Sequence, residues 1–394
     1  MGYKYLLVIS LFAFLLSCGT GRVDEKNHMP QQKPEKAGKA VITIGVVAPI
    51  TGQTATFGKS TREGVILAFE QIENKITLDG KEYKINVVFA DDQGSPEAAV
   101  SAYNKLITHD KVLAIIGTVQ SNCSLAGAPL AQKHKVPMIS TASTNPKVTQ
   151  TGDFIFRACF IDPFQGKVMA KYAIENLKLK TAAVIFDNAN DYSKGLAEVF
   201  KKTYEELGGK VVSYQPFPGE DKTKDFSPLL TQIKSAKPEL IFAPCYYQAA
   251  AQIAIQAKKL GLAVPILGGD GFDSPKLVEV GQKDVEGLTF SNHYSKDTPS
   301  TQVKQFVADY EKKFNSTPDA LAVLSYDASK ILIDALKRAG KPDSEAIKKA
   351  LTETKDLEVV SGKITFDAER NPIKSAAILQ IKNGKQVYIT TVNP

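Results

Sequence analysis

The stretch VITIGVVAPITGQTATFGKSTREGVILAFEQIENK, residues 41–75, decides the architecture. Its first ten residues form an apolar run of the kind a strand buried on both faces requires. From Lys59 to Lys75 the period becomes helical, with Val65, Ala68, Phe69 and Ile72 on one face. INVVFADD (85–92) is a second strand, and Ser95-Pro96 reads as an N-cap followed by proline at the first helical position. The helix that starts there turns Ala99, Ala102, Tyr103 and Leu106 to one side. VLAIIGTV and VPMIS continue the series. Alternation of this kind implies a parallel sheet covered by helices on both faces.

A second run of the same type begins near residue 180, with strands TAAVIFDN, KVVSYQPF, LIFAPCY and VPILGGD. Helices between them end at Gly208-Gly209 and at Gly261, the residue type that caps helices at their carboxyl ends. GLTFSNHY leads into two more helices, near 300–315 and 320–340. The chain finishes with ITFD and with AAILQIKNGKQVYITTV, a hairpin by its alternation and its Asn383-Gly384 turn. Two similar α/β lobes with a cleft between them, each a doubly wound parallel sheet, is the expected fold. A length of 394 residues, beyond one comfortable core, fits two lobes.

Composition excludes some classes. The chain is 43% apolar and 23% charged, as in soluble globular proteins. Its net charge of +7 comes from scattered lysines with no basic block, so no nucleic-acid partner is expected. At the start, Lys4 precedes LLVISLFAFLL, the length of a signal-peptide core, which ends in Leu15-Leu16-Ser17-Cys18-Gly19. That ending resembles a bacterial lipobox, so residues 1–17 are expected to be removed and Cys18 lipidated. The polar segment 18–40 then serves as a flexible tether to a membrane. Cys123, Cys159 and Cys245 have no metal-site spacing and read as small core residues, with a Cys123–Cys159 bridge the one pairing considered.

Ligands of open parallel sheets bind beyond the carboxyl ends of the strands. That rule selects Ser121 and the run Ser140-Thr141-Ala142-Ser143-Thr144 in the first lobe, and Tyr192, Tyr246, Tyr247 and Asp270 in the second. The set holds hydroxyls, aromatics and one carboxylate. No P-loop, zinc-protease motif, nucleophile elbow or dinucleotide fingerprint accompanies it, so neither an enzyme nor a cofactor or metal is expected. A helix beginning just after Ser143-Thr144 would offer free N–H groups to an anion. With Asp270 opposite, and tyrosines between, the arrangement describes a site for an α-amino acid. The same hydroxyls would serve equally as caps, and Asp270 between glycines as a turn residue.

At these residues the chain resembles the periplasmic leucine/isoleucine/valine-binding family, the substrate-binding subunits of branched-chain amino acid ABC transporters. The resemblance runs from about residue 41 to the carboxyl end. It rests on IGVVAPITGQTATFG, FADDQGSPEAAV, IIGTVQS, ISTASTNP, FRACFIDPFQG, GEDKTKDFSPLLTQIK, CYYQAA and GGDGF. It implies a type I periplasmic binding protein fold with a three-strand hinge, crossing near residues 161, 288 and 360. The lobes are then 41–161 with 289–360, and 162–288 with 361–394. It implies that Ser121, Ala142 and Thr144, with Ser143 beside them, hold a ligand carboxylate and part of its ammonium, that Asp270 is the acidic partner of that ammonium, and that Phe57, Tyr192 and Tyr246 line the pocket. The partners implied are an amino-acid ligand and an ABC permease. Contact with the membrane is expected only through the lipid, in a monomeric, extracytoplasmic protein. Two cysteines that pair in some members are Gly94 and Gln120 here. A sensory module of the same fold, binding an amide or small carboxylate, is the second reading. A hydrolase using one of the clustered serines is the third.

Overall fold

The computed structural model describes residues 40–394; the expected signal segment, Cys18 and the tether lie outside them. The strands are β1 (Ala40–Ala48), β2 (Lys75–Leu78), β3 (Lys81–Asp91), β4 (Ala114–Ile116), β5 (Met138–Ser140), β6 (Ile155–Arg157), β7 (Thr181–Asp187), β8 (Lys210–Phe217), β9 (Leu240–Phe242), β10 (Ile266–Gly268), β11 (Thr289–Asn292), β12 (Leu357–Val359), β13 (Gly362–Ile364), β14 (Ala376–Lys382) and β15 (Lys385–Val392). The opening stretch forms β1, whose two neighbours β3 and β4 are both parallel to it. Helices cover both faces, which is why Ile44, Val46 and Val47 are fully buried.

The first sheet runs β2-β3-β1-β4-β5-β6 and the second β15-β14-β11-β10-β9-β7-β8. In each, the first strand has its successors on opposite sides: β3 and β4 flank β1, and β8 and β9 flank β7. A crevice opens at each such reversal, beyond the carboxyl ends of β1 and β4 and of β7 and β9. The motif FADDQG fixes the first of them. Asp91 accepts from the Ile50 and Thr51 amides after β1, at 2.9 and 3.2 Å. Asp92 accepts from the Thr118 hydroxyl after β4. Two adjacent carboxylates thereby hold the loops on both sides of the crevice.

Several local readings are matched. Ser95 caps its helix through a bond from the Ala98 amide at 3.2 Å, and Asn383 and Gly384 turn the final hairpin with φ of 52° and 68°. A Cβ at Gly94 would stand 2.6 Å from Gln120 Oε1, so the pair that replaces two cysteines is in contact, glutamine filling space above glycine. The Cys123–Cys159 pairing is not made, since Cys123, Cys159 and Cys245 are buried free thiols.

The crossings differ from expectation at two places. The first follows β6, and the helix Asp162–Lys171 already packs on Asp191–Glu206 beside the second sheet. Thr289–Asn292, expected in the first lobe, pairs with β10 and β14 of the second sheet, so the chain leaves that sheet after residue 292, not 288. Farther on, Arg370 donates to the carbonyls of Thr149 and Ile155, at 2.7 and 3.1 Å. The chain therefore stays with the first sheet well past 360, until about Lys374.

Between those crossings the helix Ala320–Ala339 packs on Ala55–Glu70. Their closest approach is at Gly64, where a Cβ would stand 2.2 Å from the Ala322 carbonyl oxygen and 2.3 Å from Ser325 Oγ. Alanine normally improves a helix interior by about 1 kcal/mol over glycine. Here overpacking wins, and Gly64→Ala is expected to lose about 1–3 kcal/mol of stability. Urea unfolding checks this through a lower midpoint at unchanged slope; an unchanged or higher midpoint contradicts it.

Candidate functional site

The two crevices face each other, and six of the eight expected ligand residues meet between them. Phe57, Ser121, Ala142, Tyr192, Tyr246 and Asp270 line one small cavity, with Val119, Gly271 and Leu321.

The aromatic wall is built by packing. Tyr192 and Tyr246 stack at 5.4 Å with planes 7° apart, and Phe57 meets Tyr246 edge-on at 5.8 Å. The Tyr192 hydroxyl accepts from the Gly271 amide at 3.1 Å, and the Tyr246 amide donates to Glu220 Oε1 at 2.8 Å. Burial, opposed by that amide bond, pushes the Glu220 carboxyl up to about 8. The Tyr246 hydroxyl is buried without a partner.

Ser121 is the first residue of the helix Ser121–Lys133, and its Oγ accepts from the Asn145 amide at 3.2 Å. The helix expected after Thr144 is only the single turn Lys147–Gln150, beginning past Pro146, whose preceding residue is disfavoured in helical geometry. The positive helix end near this loop is therefore that of Ser121–Lys133. Within the run, Thr144 Oγ1 is buried and has no partner. Ser143 differs from expectation: its Oγ bonds Ser124 Oγ at 2.7 Å and the Val119 carbonyl at 3.0 Å. Its hydroxyl is scaffolding for the loop.

Asp270 opens a short turn, Asp270–Phe272, after β10. Its Oδ2 lies 2.9 Å from His293 Nε2, while Oδ1 is buried with no partner. A carboxylate only accepts, so Nε2 carries the proton. The His293 ring stacks on Phe160 at 3.7 Å, and burial lowers its pKa against the pull of Asp270. Gln165 joins the group: its Oε1 accepts from the Asp270 amide at 3.4 Å and the Ser291 hydroxyl at 3.0 Å, and its Nε2 donates to Asp162 at 2.8 Å. His293, Gln165, Asp162, Leu321 and Val119 were not singled out from the sequence. For His293 the signal was there, since it follows the carboxyl end of β11 as Asp270 follows β10. Leu321 comes from the start of a helix some fifty residues beyond Asp270, and nothing in its own stretch marks it.

The cleft is bridged directly. The Gln53 carbonyl accepts from the Tyr247 hydroxyl at 2.7 Å and from Gln248 Nε2 at 2.6 Å. Asn145 Nδ2 donates to the Asp191 carbonyl at 3.0 Å, and the hydroxyls of Thr56 and Ser274 meet at 3.0 Å. Among the described residues no group of three or more His, Cys, Asp or Glu could hold a metal. Unpartnered acceptor and hydroxyl groups, buried between aromatic rings, can receive a small ligand with both donors and acceptors.

Residues 41–386 match the family of periplasmic binding proteins. A Leu/Ile/Val-binding protein homolog from Brucella melitensis is 32% identical over 333 residues, 84% of this chain and 88% of the relative. The crystal structure of a leucine-binding protein LivK from Thermotoga maritima superposes with a TM-score of 0.85 at 40% identity, over 90% of this chain and 99% of that one. The branched-chain amino acid transporter substrate-binding protein LivJ of Streptococcus pneumoniae, solved with isoleucine, gives 0.83 at 33% identity, over 90% of this chain and 100% of that one.

Proposed function

The chain belongs to the periplasmic binding protein family, and on that premise we propose that it is the substrate-binding protein of an ABC importer for free, hydrophobic amino acids. The observation that carries this reading is the polarity of the cavity. From the first sheet's side come Ser121 and Ala142, with the helix start at Ser121, and from the second comes the unpartnered Oδ1 of Asp270. The first end suits a carboxylate, through hydroxyls, amides and the positive helix end. The second suits an ammonium. Phe57, Tyr192, Tyr246, Val119 and Leu321 leave an apolar space for the side chain.

Binding then proceeds by closure. The zwitterion bridges the two sides of the cleft, and the bonds from Tyr247 and Gln248 to Gln53 latch it. The site has no nucleophile paired with a base: Ser121 Oγ meets an amide, and His293 meets a carboxylate. Ligand capture without turnover is the reading. The protein works outside the cytoplasm as a monomer held by lipid on Cys18, handing its ligand to a permease.

The test is thermal unfolding of protein beginning after Cys18, first unfolded and refolded to shed any bound solute, against the twenty amino acids and their amides. An amino acid at a hundred times its dissociation constant adds about 2.7 kcal/mol of stability. The largest upward shifts are expected for L-leucine, L-isoleucine and L-valine, with smaller ones for their amides. Shifts from amides alone, or from none of the panel, sink the reading.

A further inference from the structure

Arg157 ends β6, a three-residue strand otherwise made of Ile155 and Phe156, and none of its surface reaches solvent. It makes no ion pair among the described residues. Instead its guanidinium grips the back of the loop that lines the cavity. One terminal nitrogen donates to the Ser143 carbonyl. The other donates to the Asn145 carbonyl at 2.8 Å, the Pro146 carbonyl at 3.3 Å and Thr149 Oγ1 at 3.3 Å. A buried cation whose bonded partners are all neutral is costly; Asp162 and Asp367 act on it without bonding it, and a further anion nearby would lower the cost.

The peptide between Ser143 and Thr144 shows where that anion belongs. In a trans amide the C=O and N–H point in opposite directions. With the Ser143 oxygen turned to Arg157, the Thr144 N–H points away from it, on the residue whose hydroxyl is also unpartnered. The peptide of the Asn145 carbonyl ends in Pro146, which has no N–H, and the Lys147 amide is given to Asn145 Oδ1 at 3.0 Å. Of the peptides Arg157 grips, only this one leaves its N–H for a ligand.

We propose that Arg157 is the positioning residue of the carboxylate end: it aims and polarises the Thr144 N–H, and its positive charge, one peptide removed, is balanced by the ligand carboxylate. This rests on the amino-acid reading of the cleft. Arg157 touches no ligand atom. Its effect passes through the loop, in the way that preorganised dipoles act elsewhere.

The experiment compares Arg157→Lys with the unaltered protein, by calorimetric titration with L-leucine and with leucinamide, which keeps the ammonium and side chain and lacks the negative charge. Lysine keeps a charge and loses the fork. L-leucine affinity is expected to fall about 10- to 100-fold, the range for a hydrogen bond to a charged group, while leucinamide affinity is unchanged. Equal losses for both ligands mean a merely structural residue and overturn the proposal, as does no loss for either. An independent measurement needs no variant: the Thr144 amide proton of the native protein is expected to move downfield with L-leucine and not with leucinamide. A Thr144 resonance indifferent to L-leucine overturns the proposal even if the lysine variant does not fold. Failure of the unaltered protein to bind L-leucine, L-isoleucine or L-valine removes the amino-acid reading itself, and the role of Arg157 with it.

Discussion

Asp270→Ala is expected to weaken L-leucine binding by roughly 10²- to 10³-fold, the largest effect of any single change in the cavity. The reason is the division of labour between its two oxygens. Oδ2 is held by His293 Nε2 at 2.9 Å, which leaves Oδ1, buried and unpartnered, as the Asp270 oxygen free for an ammonium. Removing the carboxylate leaves the ligand's charge desolvated in a closed cleft and strips His293 of its partner at once. The first cost belongs to the bound state alone, so the loss of affinity reflects more than one missing hydrogen bond; the second is borne with and without ligand. Asp270→Asn keeps the shape and an acceptor for His293 but not the charge, and is expected to fall between the two. Calorimetric titration with L-leucine measures the series; an alanine variant that binds within threefold of the native protein ends the assignment of Asp270 to the ammonium.

How much of this was legible follows from where the residues come from. The period switch at 41–75, the capped helix at Ser95-Pro96 and the Asn-Gly hairpin are local signals, and the chain obeys them. Five cavity residues were legible because one rule, ligands beyond strand carboxyl ends, depends only on locating the strands; Phe57 came only from the family resemblance. Ser143 was misread because sequence does not say which hydroxyl of a run faces the cavity; its hydroxyl bonds Ser124, which the fold brings in from a neighbouring helix. Arg157 and Gln165 escaped because their partners are set by tertiary packing. An arginine among the apolar residues of FIFRACF was nonetheless a visible anomaly. The crossings expected near 288 and 360 lie earlier than the contacts described above for a related reason. Pairing of β11 with β14 joins segments some ninety residues apart, and Arg370 reaches back more than two hundred to Thr149. No local pattern records either contact.

Asp162→Asn is expected to raise stability at pH 8.5 and to flatten its pH dependence, an effect of comparable size at a carboxyl linked to Asp270 through Gln165. Asp162 is 1% exposed, Gln165 donates to Oδ1 at 2.8 Å, and Oδ2 has no partner of good geometry, although the Thr144 hydroxyl is near it. Burial is the main force on it. The Thr144 and Gln165 side chains and Arg157 pull the other way, Asp270 adds repulsion, and the carboxyl is pushed from 3.8 up to about 7. Between those two pH values the folded protein holds a proton that the unfolded chain has released. Stability therefore falls as pH rises through this window, by at most about 4 kcal/mol. Asp92, raised to about 6, and Glu220, raised to about 8, act in the same direction. Lys374, lowered to about 8 by burial, is fully charged across the window and leaves the slope there unchanged. Asparagine keeps the acceptor for Gln165 and cannot ionise, so it removes the Asp162 share of the slope and nothing else. Urea midpoints of both proteins from pH 4.5 to 8.5 measure it. Parallel profiles for the two would mean that Asp162 ionises in the folded state as easily as in water, and that burial costs it nothing.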